Sequence, residues 1–204
     1  MQNGSSDIRR TIIGMLTPSS NTVVEPFTCA LAQPLFPQVS VHFSRFRVVR
    51  IALDSDSNQQ FELDPIYRAV ELLMDANPDV IAWNGTSASW LGFDTDEKLC
   101  ATLRQRFDIK ATSAILSLNR LIEKLGVKRL GLVSPYTDDV QHKIIANYRE
   151  IGVETVAERH SGLSENFAFA QVTEVQIAEM CRHVAKSKPD AIVILCTNMR
   201  GPMI

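Results

Sequence analysis

The chain has 204 residues, of which 45% are hydrophobic and 22% are charged, and its formal net charge is −2. This length accommodates one large domain or two small ones, and the composition is ordinary for a globular protein. The near-neutral charge, without a basic stripe, argues against a nucleic-acid partner or an anionic membrane surface.

The sequence also lacks the marks of membrane insertion or secretion. Its apolar runs are all shorter than the roughly 18 residues of a membrane-spanning helix. Residues 1–10, MQNGSSDIRR, contain no apolar signal core, and we expect a flexible tail there. The cysteines have neither metal-ligand spacing nor the pattern of a disulfide framework, which favours a reducing cytoplasm; they are Cys29, Cys100, Cys181 and Cys196.

Predicted strands and helices alternate along the first half of the chain. Strands are predicted at 11–16, 39–49 and 79–83. Helices are predicted at 23–31, at 64–76, from a cap at Thr95 to about 107, and from a cap at Ser113 to a stop at Gly126. The polar segment 53–60 is predicted to be a loop.

The second half repeats this alternation. Strands are predicted at 128–134, 153–158 and 190–195, with helices ending near 151 and spanning 173–187, and with a loop at 160–166. Such alternation is typical of parallel βαβ units, which bind ligands at the carboxyl ends of their strands. Cys196 lies at such an end, although a cysteine there is also consistent with inert core packing.

The two halves resemble each other in sequence. The segment at 78–81, PDVI, resembles PDAI at 189–192, an offset of 111 residues, and IIGMLTP at 12–18 resembles RLGLVSP at 129–135. Carried forward, the first offset places Gly85 opposite Cys196. Unless the similarity is chance, we expect two flavodoxin-like parallel half-domains, at 11–112 and 113–204, related by a pseudo-two-fold around a cleft.

Four polar turns follow predicted strands, at 17–22, 84–89, 134–139 and 196–198. In facing halves they would converge and supply hydroxyls, amides and one thiol, a set that suits an oxyanion developing next to a carboxylate. We expect strand-end amides to lower the pKa of the Cys196 thiol, which could then transfer a proton at carbon without metal or cofactor. The turn at 17–22 is equally explained by a helix cap at Ser20 or Asn21.

Five motifs in these segments carry a family resemblance. They are PSSNT at 18–22, GTSAS at 85–89, SPYTDDV around Tyr136, ENFAFA around Asn166 and CTN at 196–198. In this order they resemble the aspartate/glutamate racemase superfamily, specifically its maleate cis-trans isomerase and arylmalonate decarboxylase group. The resemblance covers nearly the whole chain and implies two half-domains with the active residues between them.

The resemblance also implies roles for individual residues. Racemases and maleate isomerases of this type carry a cysteine on each half, whereas Gly85 here matches the decarboxylases, which keep only the second cysteine. The implied catalytic residues are Cys196, as proton donor, and Tyr136. The implied substrate-binding residues are Thr86 and Ser87 at the enediolate oxygens, Asn21 and Asn166 at a carboxylate, and also Ser20, Gly85, Thr197 and Asn198.

The function that follows from the resemblance is enediolate chemistry on a small carboxylic acid, by a lyase or isomerase that needs no cofactor and no metal. PSSNT and Asn166 favour the isomerase branch, and Gly85 favours the decarboxylase branch. A maleate-isomerase-like or racemase-like enzyme and an inactive carboxylate-binding protein remain alternatives. The expected partner is a small carboxylate, not nucleic acid or membrane, and a homo-oligomer is left open. Relatives continue through a final helix that we expect this chain to lack.

Overall fold

The computed structural model describes residues 9–48 and 63–204, so residues 1–8 of the tail predicted at 1–10 and the predicted loop at 53–60 lie outside the described residues. The strands are β1 (Thr11–Pro18), β2 (Val39–Phe46), β3 (Val80–Trp83), β4 (Lys110–Ser113), β5 (Arg129–Ser134), β6 (Glu154–His160) and β7 (Ala191–Ile194). The helices are α1 (Val24–Ala32), α2 (Leu63–Met74), α3 (Ala88–Leu91), α4 (Phe93–Phe107), α5 (Ala114–Leu125), α6 (Asp138–Glu150), α7 (Asn166–Phe169) and α8 (Glu174–Ala185). Short 3-10 turns occupy Gln33–Leu35 and Gly201–Met203.

The strands form two parallel sheets, with the orders β2-β1-β3-β4 and β6-β5-β7. The predicted α/β fold with two parallel sheets is therefore confirmed. Both orders begin with the flavodoxin pattern, in which the central strand lies between the second and the third. The pseudo-two-fold and the division at 112 and 113 stay predictions.

The repeated Pro-Asp pair has the same structural task in both halves. The Asp79 carboxylate accepts a hydrogen bond from the Ile12 amide in β1 at 2.8 Å. The Asp190 carboxylate accepts from the amides of Lys128 and Arg129, at 2.9 and 2.8 Å, at the start of β5. These bonds lower the pKa of both carboxyl groups. Each aspartate thereby fixes the strand that follows it against the central strand of its sheet.

The end signals of α5 are those that the sequence predicts. The Ser113 hydroxyl oxygen accepts a hydrogen bond from the Leu116 amide at 3.0 Å and caps the first turn. Gly126 ends the helix at a φ of 66°, a left-handed conformation that glycine adopts without strain. α5 buries Ile115 and Ile122 on its inner face.

Several element predictions are wrong in detail. β4 was missed because its sequence, KATS, has no apolar run, and its pairing with β3 alone makes it a strand. The four-residue helix α3 overlaps the polar turn predicted at 84–89. Thr95 is not a cap, because α4 already begins at Phe93 after Gly92. β2 ends at Phe46 rather than 49, and the predicted loop at 160–166 is shorter because His160 belongs to β6.

Candidate active site

The turns after β1, β3, β5 and β7 meet at the carboxyl ends of the two sheets. The order of strands reverses between β1 and β3 in the first sheet and between β5 and β7 in the second. Ligands of open α/β folds usually bind at such a reversal. The phenol oxygen of Tyr136 lies 2.5 Å from the Thr86 hydroxyl oxygen and is hydrogen-bonded to the Cys196 thiol. Tyr136 therefore joins the turn of the first sheet to the thiol of the second.

Cys196 lies two residues beyond β7, as Gly85 lies two residues beyond β3. Its side chain is 9% exposed, and its sulfur accepts a hydrogen bond from the Asn198 amide at 3.4 Å. Burial raises the pKa of the Cys196 thiol to about 11, against the lowering by hydrogen bonds from Tyr136 and two backbone amides. The expectation of a lowered pKa is wrong, because desolvation of the thiolate outweighs those bonds. At neutral pH the thiol is protonated.

The Tyr136 phenol is a neutral donor at any working pH. It is fully enclosed, with Trp90 and Phe169 packed edge-on at 5.2 and 5.4 Å between ring centres. Burial, and then the neighbouring Cys196, raise the pKa of Tyr136 well above its ordinary value. The rings fix the direction in which the hydroxyl points, so this donor is preorganised.

Asn21 forms hydrogen bonds both at the start of α1 and to the second half of the molecule. Its side-chain oxygen accepts hydrogen bonds from the Val23 and Val24 amides, each at 2.9 Å. The residue at the N-cap of α1 is Val23, so the predicted cap at Ser20 or Asn21 is wrong by two or three residues. The Asn21 amide nitrogen donates to the Thr197 hydroxyl at 3.3 Å, and that hydroxyl donates to the Asn84 carbonyl at 2.7 Å. An amide nitrogen carries two N–H donors, so Asn21 has a second one for a ligand.

A second set of hydrogen bonds centres on Asn198. Its carbonyl oxygen accepts from the Thr22 amide at 2.9 Å, and its nitrogen donates to the Asn166 carbonyl at 2.6 Å. Asn166 in turn donates to the Ser20 hydroxyl at 2.8 Å, and Ser20 donates to the Val48 carbonyl. The hydrogen bonds to Asn198 and Ser20 thus fix the position of Asn166 at the site.

These side chains enclose a small cavity of about 20 Å³. Of the ten site residues predicted from the sequence, eight line it, and Ser20 and Asn198 support Asn166 from behind; the lining residues are Asn21, Gly85, Thr86, Ser87, Tyr136, Asn166, Cys196 and Thr197. A larger, mainly apolar cavity of about 470 Å³ shares Thr86, Cys196 and Thr197 but lacks Tyr136 and Asn166. We place the candidate site in the smaller cavity, where the polar groups converge.

Sequence reasoning missed the aromatic walls of this cavity. Trp83, the last residue of β3, covers Gly85: a Cβ atom added at Gly85 would lie 1.8 Å from the Trp83 Cζ2 atom. Trp90 and Phe169 form further walls. The available signal was Trp83 at the end of the predicted strand, but aromatic residues are common at the ends of buried strands.

A buried carboxyl group lies behind Trp83. Asp96 in α4 is 1% exposed and is hydrogen-bonded to the Ser113 hydroxyl and the Trp83 indole. Burial raises the pKa of Asp96 from 3.8 to about 6, against the lowering by those two bonds. About half of the Asp96 carboxyl groups are therefore protonated at pH 6, and ionisation of the rest costs desolvation free energy.

This environment predicts a pH-dependent difference between wild type and Asp96→Asn. The folded pKa of Asp96 lies above the unfolded value, so its contribution to stability is full below pH 3.8 and is lost as the pH rises through 6. Relative to the variant, the wild type should lose about 3 kcal/mol of unfolding free energy between pH 3.8 and 7. Urea unfolding over that range measures the loss. The unfolding free energy of Asp94→Asn, a change at an exposed position, should vary with pH as that of the wild type does. A difference in unfolding free energy between wild type and Asp96→Asn that stays constant with pH would contradict the prediction.

Within residues 9–48 and 63–204, no group of three or more His, Cys, Asp or Glu side chains is arranged to hold a metal ion. In the same part of the chain, no helix is both long and apolar enough to cross a membrane.

Comparison with known proteins confirms the resemblance seen in the motifs. Maleate isomerase of Geobacillus stearothermophilus is 26% identical over 200 residues, which cover 92% of this chain and 78% of that protein. Arylmalonate decarboxylase of Bordetella bronchiseptica is 26% identical over 117 residues, 57% of this chain and 49% of that protein. These relatives are enzymes.

Solved structures show the same fold. Maleate cis-trans isomerase of Nocardia farcinica, as a mutant with a covalently bound succinylcysteine intermediate, superimposes with a TM-score of 0.83 at 22% identity, covering 93% of this chain and 79% of that one. The model of the arylmalonate decarboxylase family matches residues 13–202. Because that match spans nearly the whole sequence, the chain belongs to the arylmalonate decarboxylase family.

Proposed function

We propose that this protein is a cofactor-independent decarboxylase of small malonic acids, with Cys196 as its single proton donor. The observation that carries the proposal is the contact chain from Thr86 through Tyr136 to a protonated Cys196, with glycine at position 85. Hydroxyl donors beside a neutral thiol suit an enediolate that needs its oxygens stabilised and its carbon protonated.

The proposed reaction proceeds in two steps. One carboxylate of the malonate leaves as carbon dioxide, and the electron pair of the broken C–C bond forms an enediolate on the remaining carboxylate. When substrate binds, the Thr86 and Tyr136 hydroxyls turn from the bonds that they make to each other and to Cys196. Together with Ser87 they then donate hydrogen bonds to the enediolate oxygens as negative charge develops, and Asn21 and Asn166 orient the carboxylate. The Cys196 thiol then gives its proton to the α-carbon, and the thiolate recovers a proton from water. The net reaction consumes one proton and yields a monocarboxylate and carbon dioxide.

The raised pKa of Cys196 supports a donor role. A thiol of pKa about 11 is fully protonated at pH 7, and an enediolate carbon is a much stronger base than a thiolate. A nucleophilic role would instead need the thiolate, which burial disfavours. The site therefore favours delivery of a proton over covalent attack.

A maleate-isomerase-like reaction is the second candidate, and the match to maleate isomerase over 92% of the chain favours it. Covalent addition to an alkene by a first-half thiol is not available here, because that position is Gly85 and Trp83 covers it. Turnover of maleate to fumarate would thus require a different group.

Binding of dicarboxylates without any turnover would identify a carboxylate-binding protein.

Protonation from one face predicts a single-handed product. In heavy water, a prochiral α-methyl-substituted malonate whose second α-substituent is also small should give one enantiomer carrying one deuterium at the α-carbon. Chiral chromatography with mass spectrometry measures both properties. A racemic product, or racemisation of the product at a rate near turnover, would show that a second proton-transfer group acts on the other face.

The burial of Cys196 predicts that it is labelled more slowly than an exposed cysteine, whereas a catalytic nucleophile would be labelled first. With iodoacetamide at pH 7.5, the exposed Cys29 should react first. Cys196 should react on the order of 10²-fold more slowly than a free thiol, since its thiolate fraction is that much smaller. Peptide mapping by mass spectrometry gives both rates. Labelling of Cys196 as fast as Cys29 would contradict the raised pKa and restore a nucleophilic role.

A further inference from the structure

The wall of the cavity on the first-half side is an indole ring. Trp83 is 2% exposed at the end of β3. A Cβ atom at Gly85 would lie 1.8, 2.3 and 2.5 Å from three atoms of its six-membered ring. Real Cβ atoms do not approach carbon so closely, so the indole occupies the space that any side chain at residue 85 would need.

This ring is held on two sides by the protein. It packs against the Phe46 ring of β2 at 5.1 Å between ring centres and at a tilt of 39°, and its N–H is hydrogen-bonded to the buried Asp96 carboxyl group. Asp96 is held in turn by Ser113 at the end of β4. The indole is therefore part of the packed sheet, and moving it aside would break a buried hydrogen bond.

The small volume of the cavity follows from this arrangement. About 20 Å³ is little more than the roughly 10–15 Å³ that one water needs. On the side of Gly85, room for an aromatic substituent would require displacement of Trp83, Trp90 or Phe169, and all three are buried. The larger apolar cavity borders Thr86 and Cys196 but not Gly85, so it provides no room on this side. A methyl-sized substituent demands far less movement.

We propose that Trp83 determines the substrate range of this site, admitting malonates with small α-substituents and excluding those with an aryl group, because its six-membered ring fills the space beside Gly85. This inference rests on the proposed function. It assigns substrate selection to the residue before the Asn84-Gly85-Thr86 turn, and it assigns to Asp96 the task of positioning the indole.

The test uses two probes and one conservative variant. Calorimetry at pH 7 measures the affinities of methylmalonate and phenylmalonate for wild type and Trp83→Phe, which lacks the outer part of the indole. The affinity for phenylmalonate should rise at least tenfold in the variant, a change typical of one well-fitted apolar group, while that for methylmalonate changes less than about threefold. Phe107→Leu, at the far end of α4 and outside the cavity, should leave both affinities unchanged.

A stability readout tests the ring's position without any ligand. Gly85→Ala should lower the melting temperature of wild type by roughly 4–10 °C, and by less than about 2 °C in the Trp83→Phe background. If Trp83→Phe does not fold, Trp83→Leu replaces it in both experiments.

The outcomes separate the two proposals. An unchanged ratio of the two affinities, or equal effects of Gly85→Ala in both backgrounds, overturns the role of Trp83 while leaving the proposed function intact. If neither probe binds any of the proteins, the proposed function fails, and the substrate range assigned here fails with it.

Discussion

Replacing Cys196 by serine should lower kcat by roughly 10²–10⁴-fold, the range expected for loss of a positioned general acid. A serine hydroxyl has a far higher pKa than a thiol and is shorter, so it neither reaches nor protonates the α-carbon as well. Stability should change little, because both side chains are small and the Tyr136 hydroxyl can donate to oxygen as it does to sulfur. Initial rates of carbon dioxide release, with circular dichroism to verify folding, measure the effect.

The matched control is Cys29→Ser, which changes the exposed cysteine of α1 outside the cavity. It should keep the wild-type rate. Full activity in Cys196→Ser would remove the thiol from the mechanism. Equal losses in both variants would indicate a general effect of removing thiols rather than a role for Cys196.

Tyr136→Phe should have the second largest effect, a loss of roughly 10²–10³-fold in kcat, as found when one preorganised oxyanion donor is removed. The change deletes the hydroxyl that lies 2.5 Å from Thr86 and hydrogen-bonds Cys196. Because the bond from Tyr136 lowers the pKa of Cys196, its loss should raise that pKa further. The partly buried Thr86 hydroxyl also loses its partner, so the free energy of unfolding should fall by about 0.5–1.5 kcal/mol.

Tyr148→Phe provides a matched control in the same half of the chain. Tyr148 is also fully buried, packs edge-on against Phe93, and its hydroxyl has no hydrogen-bond partner among the described residues. Removing that hydroxyl should leave kcat unchanged and stability equal or higher. A wild-type kcat in Tyr136→Phe would show that the phenol is packing only.

The site could be recognised from the sequence to the extent that its chemistry lies in local segments. A Val- and Ile-rich run places Cys196 after a strand, and the Pro-Asp repeat pairs it with Gly85 because each lies two residues beyond the strand that follows its Pro-Asp pair. The residues that begin and end α5, Ser113 and Gly126, likewise lie next to the helix in the sequence. β4 was not predictable in this way, since its polar sequence becomes a strand only by pairing with β3.

The sequence by itself determined the alternation of strands and helices, the polar turns at their ends and the single cysteine among them, because each depends on residues close in the chain. Only the tertiary structure decided the protonation state of Cys196, whose pKa of about 11 results from enclosure by side chains distant in sequence. The same holds for the Trp83 ring over Gly85 and for the buried Asp96 behind it. Desolvation and close packing depend on which segments meet in space, and no local pattern encodes that meeting.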